Sequence, residues 1–259
     1  MASKTKKVKA AQGKKDQRLG YWLIAIPAIT FLIKLIVMSN ATGGGWLGAD
    51  GENYLGGVDG ILKDGLYSKE HLLGYWPAGY PILIWLLSKI SLTHLIVLLS
   101  ITQSIFYAFS SYYFVKQLRG TKLQPYMFLI GLALAFNPTL SLSSLAVGYE
   151  SPVAACMLMV VGLIMKSLQS DHDLRFVLRI TGVGFFCALA TFMQPRFLLI
   201  AIIIAVLWAL KVVGTKNRIR IASLVITIMM FAPAIMIFRN AVSIDKATIS
   251  TNLGATMRI

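Results

Sequence analysis

The sequence predicts an all-α fold: a polytopic membrane helix bundle of about seven spans, with an amphipathic helix beside the membrane in the first extracytoplasmic loop. Three observations lead there. The 259 residues are 57% hydrophobic and 14% charged, with a mean hydropathy of +0.72, whereas soluble domains carry about 25% charged residues. The apolar residues fall in runs close to the ~20 residues that a helix needs to cross a bilayer. The basic residues collect between alternate runs, the pattern that sets orientation in membrane proteins.

Residues 1–18 hold Lys4, Lys6, Lys7, Lys9, Lys14, Lys15 and Arg18 against one acid, Asp16, and are read as a disordered cytoplasmic tail. A transmembrane domain over residues 19–240 follows. Its first apolar run, 21–38, ends at a Ser39-Asn40-Ala41 stretch that resembles a signal-peptidase site. The lengths of the run and of the basic stretch before it favour a retained anchor over a cleaved signal peptide. Lys34 lies near the outer end of this run, where a lysine snorkels.

Residues 39–80 form the first extracytoplasmic loop. Within it Tyr54, Leu55, Val58, Ile61 and Leu62 repeat at helical spacing, with Gly65 as the stop. Residues 81–90 are apolar but too short to span, and read as a re-entrant or interfacial helix. Further spans are expected over 92–115, 123–140, 152–165, 176–193, 197–210 and 221–238, and residues 241–259 read as the truncated start of an extracytoplasmic segment.

Charge tests this layout. With the amino terminus inside, 17 of the 25 basic residues fall in the cytoplasm, and Asp50, Glu52, Asp59, Asp64, Glu70, Glu150 and Asp245 fall outside. A multi-pass protein of the cell membrane is the expected localisation. The net charge of +15, which in a soluble chain would suggest nucleic acid, is explained by topology, and no nucleic-acid partner is expected. Cys156 and Cys187 sit inside apolar runs and His71, His94 and His172 lack ligand spacing, so the sequence displays neither a disulfide framework nor a zinc motif.

Two stretches of the loop carry chemistry. In "ADGENY" Asp50 and Tyr54 are four residues apart, on one helical face. Asp is also a favoured N-cap and Asp-Gly a common turn, which is the ordinary reading. A calcium loop is excluded because Tyr54 occupies a position that needs an oxygen ligand of another type, and Gly43–Gly45 has no preceding strand to make a dinucleotide fingerprint. In "YWPAGYPILIWLL" two prolines and a glycine enclose Tyr80 ahead of a short helix, for which an interfacial aromatic belt is the ordinary reading.

Together these two stretches resemble the first loop of the GT-C superfamily, the polyprenyl-phosphate-sugar-dependent membrane glycosyltransferases that include the protein mannosyltransferase and aminoarabinose transferase branches. "GVGFFCALATFMQPRFLLIAIIIAVLWAL" is similar to that family's helix pair broken by a polar-Pro turn, and "FAPAIMIFRN" followed by "ISTNLGATMRI" is similar to its last helix before an outer domain. The resemblance runs from about residue 21 to the end of the sequence given, and implies an N-terminal fragment of a longer enzyme.

It also implies a glycosyltransferase that moves a sugar from a polyprenyl-phosphate donor to a glycan, lipid or protein acceptor on the extracytoplasmic side, with inversion. Asp50 corresponds to the family's catalytic acid. A carboxylate there orients or deprotonates the acceptor as it attacks the anomeric carbon. Protein mannosyltransferases carry adjacent Asp-Glu at this point, whereas Gly51 separates Asp50 from Glu52 here, so either carboxylate is a candidate base. The leaving phosphate needs a fixed cation, for which Arg196 and Arg239 at outer span ends are candidates beside ordinary headgroup snorkelling. Tyr54, Tyr80, Glu150 and Gln194 complete the candidate substrate-binding set, Glu150 having the alternative of favouring a helix N-terminus. No cofactor is required, although Asp50, Glu52 and Glu150 together suit a divalent metal.

Two other classes compete. A lipid or solute transporter, or flippase, should carry ionisable residues deep in its spans. A non-catalytic membrane subunit, packing against partners and lipids, would need no acid cluster on the far side.

Overall fold

A computed structural model describes residues 27–37, 39–40, 48, 50–137, 139–169, 174–212 and 218–251. The basic tail over residues 1–18 and the residues after 251 lie outside this set. The described elements are helices: α1 (Pro27–Val37), then α2 (Gly51–Asp64), α3 (His71–Tyr75), α4 (Gly79–Ser88), α5 (Leu95–Gln117), α6 (Met127–Ala135), α7 (Glu150–Leu168), α8 (Leu174–Met193), α9 (Phe197–Val212) and α10 (Arg218–Ile244). Of these, α5, α7, α8 and α10 are long and apolar enough to cross a membrane, while α1, α4, α6 and α9 are apolar but shorter.

The long helices pack in sequence, α5 on α7, α7 on α8 and α8 on α10, with α9 against α8 and α10. Val160, Val183, Cys187, Ala201, Ala205, Val225 and Met229 close the centre of this bundle, all fully buried. Small residues bring the axes together. A Cβ on Gly162 would lie 2.8 Å from the Tyr113 ring, so α5 and α7 meet there without a side chain between them.

At one end of the bundle α5, α7 and α9 begin and α8 and α10 end, and α2, α3 and α4 lie across it. This end is called the loop face below. All seven acids among the described residues belong to it. The expected loop helix is present as α2, which buries Tyr54, Val58 and Ile61 and stops at Gly65 with φ +80°. Its apolar face is turned onto α3 and α4, where Gly57 meets Leu73 and Pro81. The short apolar helix is α4, fixed by Gly79, whose Cα approaches the end of α8 so closely that a Cβ would lie 1.8 Å from the carbonyl oxygen of Phe192.

Two expectations are corrected. The span read over 123–140 is a 3₁₀ turn at Gln124–Tyr126 and a nine-residue α6. The helix stops before Asn137, which precedes Pro138 in the sequence; a residue before proline disfavours the α region, and the Asn137 Oδ1 accepts the N–H of Leu140 at 2.7 Å. Beyond it the chain runs irregularly beside α5 as turns and a 3₁₀ segment, Leu142–Leu145. Buried irregular backbone needs internal partners, and α5 provides them: the Ser100 Oγ donates to the Leu145 carbonyl at 2.8 Å, the Gln103 Nε2 to those of Ser144 and Ala146 at 3.3 and 3.0 Å, and the Tyr107 hydroxyl to that of Leu134 at 2.9 Å.

Lys34 does not snorkel. It is 2% exposed; its Nζ donates to the Ser144 Oγ at 2.7 Å and lies 5.3 Å from the centre of the Tyr107 ring. The residue closes the same irregular segment from the α1 side.

Candidate functional site

Asp50 occupies the N-cap position of α2, yet its side chain makes no capping hydrogen bond. The ordinary reading of this residue therefore does not account for its carboxylate. One turn on, Tyr54 is 1% exposed and meets Tyr80, Trp76 and Tyr149 edge-to-face, with ring centres 5.0, 6.0 and 6.2 Å away. Burial drives the Tyr54 phenol above the usual tyrosine range, and Tyr149, Asp50 and Glu150 push it further in the same direction. Two carboxylates from distant parts of the chain thus bear on one hydroxyl.

Tyr80 joins the pieces. Its hydroxyl donates to the Gln103 Oε1 at 2.9 Å and accepts the backbone N–H of Gly148 at 2.9 Å. That bond fixes the entry to α7, whose first residue is Glu150. The Glu150 carboxylate folds back over Gly148: a Cβ there would lie 2.4 Å from the Glu150 Oε2. It sits in the first turn of α7, at the positive end of the helix dipole.

The sequence placed Tyr54 and Tyr80 as sugar contacts. Both are buried, and the Tyr80 hydroxyl is engaged by protein on both its donor and acceptor sides. They tie the start of α2 to the entry of α7 through Tyr149 and Gly148. The groups that reach the surface are Glu52 and Glu150, with Asp50 and Tyr149 half-buried.

Arg196 is exposed in the turn between α8 and α9. This turn is tied by the Gln194 N–H donating to the Ala190 carbonyl at 2.8 Å and by the Gln194 carbonyl accepting the N–H of Phe197 at 3.1 Å. Gln194 itself is buried. Arg239 is used otherwise. It is 4% exposed, and four of the five guanidinium N–H groups go to the carbonyls of Leu66, Ser68 and Leu73 and to the Asn240 Oδ1. Those carbonyls belong to the chain between α2 and α4, past the C-terminal end of α2, whereas Asp50 stands at its N-terminal end. Arg239, a candidate cation for the leaving phosphate, staples α10 to the loop, as its buried donors would otherwise be unpaired.

Two cavities flank the tyrosines. One, of about 290 Å³, lies between α4, α5 and α8 and is lined by Tyr80, Leu83, Leu99, Gln103, Phe106 and Met193 among others. The other, of about 320 Å³, is lined by Tyr149, Glu150, Val153, Met157, Phe197 and the chain after α6. Tyr54 touches Tyr80 of the first lining and Tyr149 of the second. Among the described residues no group of three or more His, Cys, Asp or Glu stands together to hold a metal ion.

Sequence reasoning missed Gln103, Gly148 and Tyr149. A signal for Gln103 existed: Ser100, Gln103, Ser104, Tyr107 and Ser111 form a polar stripe at helical spacing along an otherwise apolar span. Gly148 and Tyr149 carried no such pattern. Neither a family model, nor a curated protein, nor a solved structure matches this chain.

Proposed function

We propose that this chain carries the donor and acceptor ends of a GT-C-type glycosyltransferase, a multi-pass protein of the cell membrane with its amino terminus in the cytoplasm and its loop face outside. In this reading α1, α5, the α6 region, α7, α8, α9 and α10 provide seven crossings. The gathering of all seven described acids on one end, with Lys116, Lys166, Arg179 and Arg220 toward the other, supports the orientation. The observation that carries the function is the contact of Tyr54, one turn after Asp50, with Tyr80, which lines one cavity, and with Tyr149, which lines the other beside Glu150.

The chemistry follows from that arrangement. A polyprenyl-phosphate sugar lays its chain in the apolar cavity between α4, α5 and α8. An acceptor hydroxyl or amine attacks the anomeric carbon from the opposite face, forming the new glycosidic bond as the bond to the phosphate oxygen breaks. The leaving polyprenyl phosphate keeps the electron pair, and the acceptor proton passes to Asp50, with Glu52, two residues on, the alternative base. Arg196, exposed beside Phe197, is the cation left to face the phosphate. In-line attack on the anomeric carbon inverts its configuration. The test is sugar transfer from a polyprenyl-phosphate donor in proteoliposomes: Asp50→Asn abolishes transfer in a protein that remains folded, and unchanged transfer removes Asp50 from the role.

One observation favours a second reading. Lys34 is buried among α1, α5 and the irregular segment, and among the described residues no carboxylate lies within ion-pair distance of it. Such a residue in a span is a mark of transporters. Flux of a lipid-linked sugar across sealed liposomes, lost in Lys34→Met and unaffected by Asp50→Asn, would favour that reading.

A further inference from the structure

The cavity beside Glu150 differs in character from its neighbour across Tyr54. We propose that it receives an amphiphilic acceptor, a lipid-borne alcohol or amine, and not a peptide or a free sugar; this rests on the glycosyltransferase reading and specifies the acceptor at the same site. Charge and depth argue for it. Glu150 is the one ionisable carboxylate in the lining, and it stands at the mouth, on the first residue of α7. A carboxylate accepts hydrogen bonds from hydroxyl or ammonium groups and repels an anionic head. Among the described residues no lysine or arginine lines the cavity to offset that repulsion.

Below the mouth the wall turns apolar. Val153, Ala154 and Met157 continue down α7, and Leu140, Phe197 and one polar residue, Thr139, close the sides. Met157 lies four residues past Val153, so the apolar wall runs about 6 Å along the helix, starting one turn below Glu150. That helix is one of the four able to span a membrane. A peptide or free sugar would leave this wall unfilled and its own polar groups unpaired against it, whereas an acyl or isoprenoid chain fills it while its head stays at Glu150. Tyr149 sits at the same mouth, on the boundary with Tyr54, where the acceptor hydroxyl is presented toward the Asp50 side.

The test is independent of transfer. The protein in proteoliposomes is photolabelled with a diacylglycerol bearing a diazirine midway along one acyl chain, and in parallel with phosphatidylcholine bearing the same chain. The diacylglycerol offers a hydroxyl head; the phosphatidylcholine has neither hydroxyl nor amine hydrogen and reports general lipid exposure. The expected result is several-fold greater labelling of the Val153–Met157 and Phe197 peptides by the diacylglycerol, lost in Ala154→Trp, which fills the cavity, and reduced in Glu150→Gln. Equal labelling by the two probes, or labelling unaltered in a folded Ala154→Trp protein, overturns the proposal. Displacement of the label by a soluble Ser/Thr peptide overturns it in favour of a peptide acceptor. Failure of sugar transfer with selective labelling intact would sink the enzyme reading and leave the amphiphile site standing.

Discussion

The hydroxyl of Tyr80 accepts the backbone N–H of Gly148 at 2.9 Å across 68 residues of sequence. Through this bond the loop that begins with Asp50 and the turn that delivers Glu150 become one rigid unit, because the same hydroxyl donates to Gln103 on α5.

Tyr80→Phe removes both bonds and leaves the Gly148 N–H and the Gln103 Oε1 buried without a partner. Each such group costs about 1–3 kcal/mol. Thermal unfolding in detergent should show a clear loss of stability, and Gln103→Leu on top of Tyr80→Phe should cost less than the sum of the two single variants, since they share one interaction.

Arg239→Lys tests the staple against the phosphate role. A lysine has three donors on one nitrogen and cannot reproduce the planar fork that reaches Leu66, Ser68, Leu73 and Asn240. The expected outcome is a lowered melting temperature with increased proteolysis between Leu66 and Leu73. A variant of unchanged stability that loses affinity for a polyprenyl phosphate would return Arg239 to the donor site.

Gly79→Ala places a methyl group 1.8 Å from the Phe192 carbonyl oxygen, which is backbone and has little freedom to move. Separation of α4 from α8 is required, at a cost of about 1–3 kcal/mol or more. Gly148→Ala meets the Glu150 carboxylate instead, at 2.4 Å. That side chain can swing away, so this variant should stay folded while Glu150 leaves its position, read as loss of diacylglycerol labelling.

Tyr54 predicts an alkaline limit. Its phenol is raised by burial and by the neighbouring Tyr149 and carboxylates, so the folded protein keeps the proton at a pH where the unfolded chain releases it. Below about pH 10 both states are protonated and the group is neutral in its effect; above it the unfolded state binds fewer protons, and stability falls by about 1.4 kcal/mol per pH unit. Comparing the wild type with Tyr54→Phe between pH 9 and 11 isolates this contribution as a shallower decline in the variant.

Lys34→Met removes a buried ammonium that, among the described residues, has no carboxylate within ion-pair distance. Where such a charge serves only packing, its replacement by an apolar side chain of similar length is neutral or stabilising by about 1 kcal/mol or more. A melting temperature that falls sharply would show that the Ser144 contact holds the irregular segment, and the loop face with it.

The sequence by itself determined the helical, membrane-type character, the position of α2 with its stop at Gly65, and the bounds of α5, α7 and α8 to within a few residues, because apolar periodicity and glycine conformation act over one or two turns; α10 runs six residues past its expected end. It also determined that the acids share one end, since charge placement follows the order of the spans. The tertiary structure alone decided which of those polar groups meet. Arg239 and Arg196 read alike in one dimension, as cations at span ends, yet one is consumed by three carbonyls of a loop more than 160 residues away and the other is exposed. Lys34 likewise read as a snorkelling residue until α5 and the broken α6 segment closed over it. Hydrogen bonds between distant segments depend on how helices pack, and no local spacing encodes that.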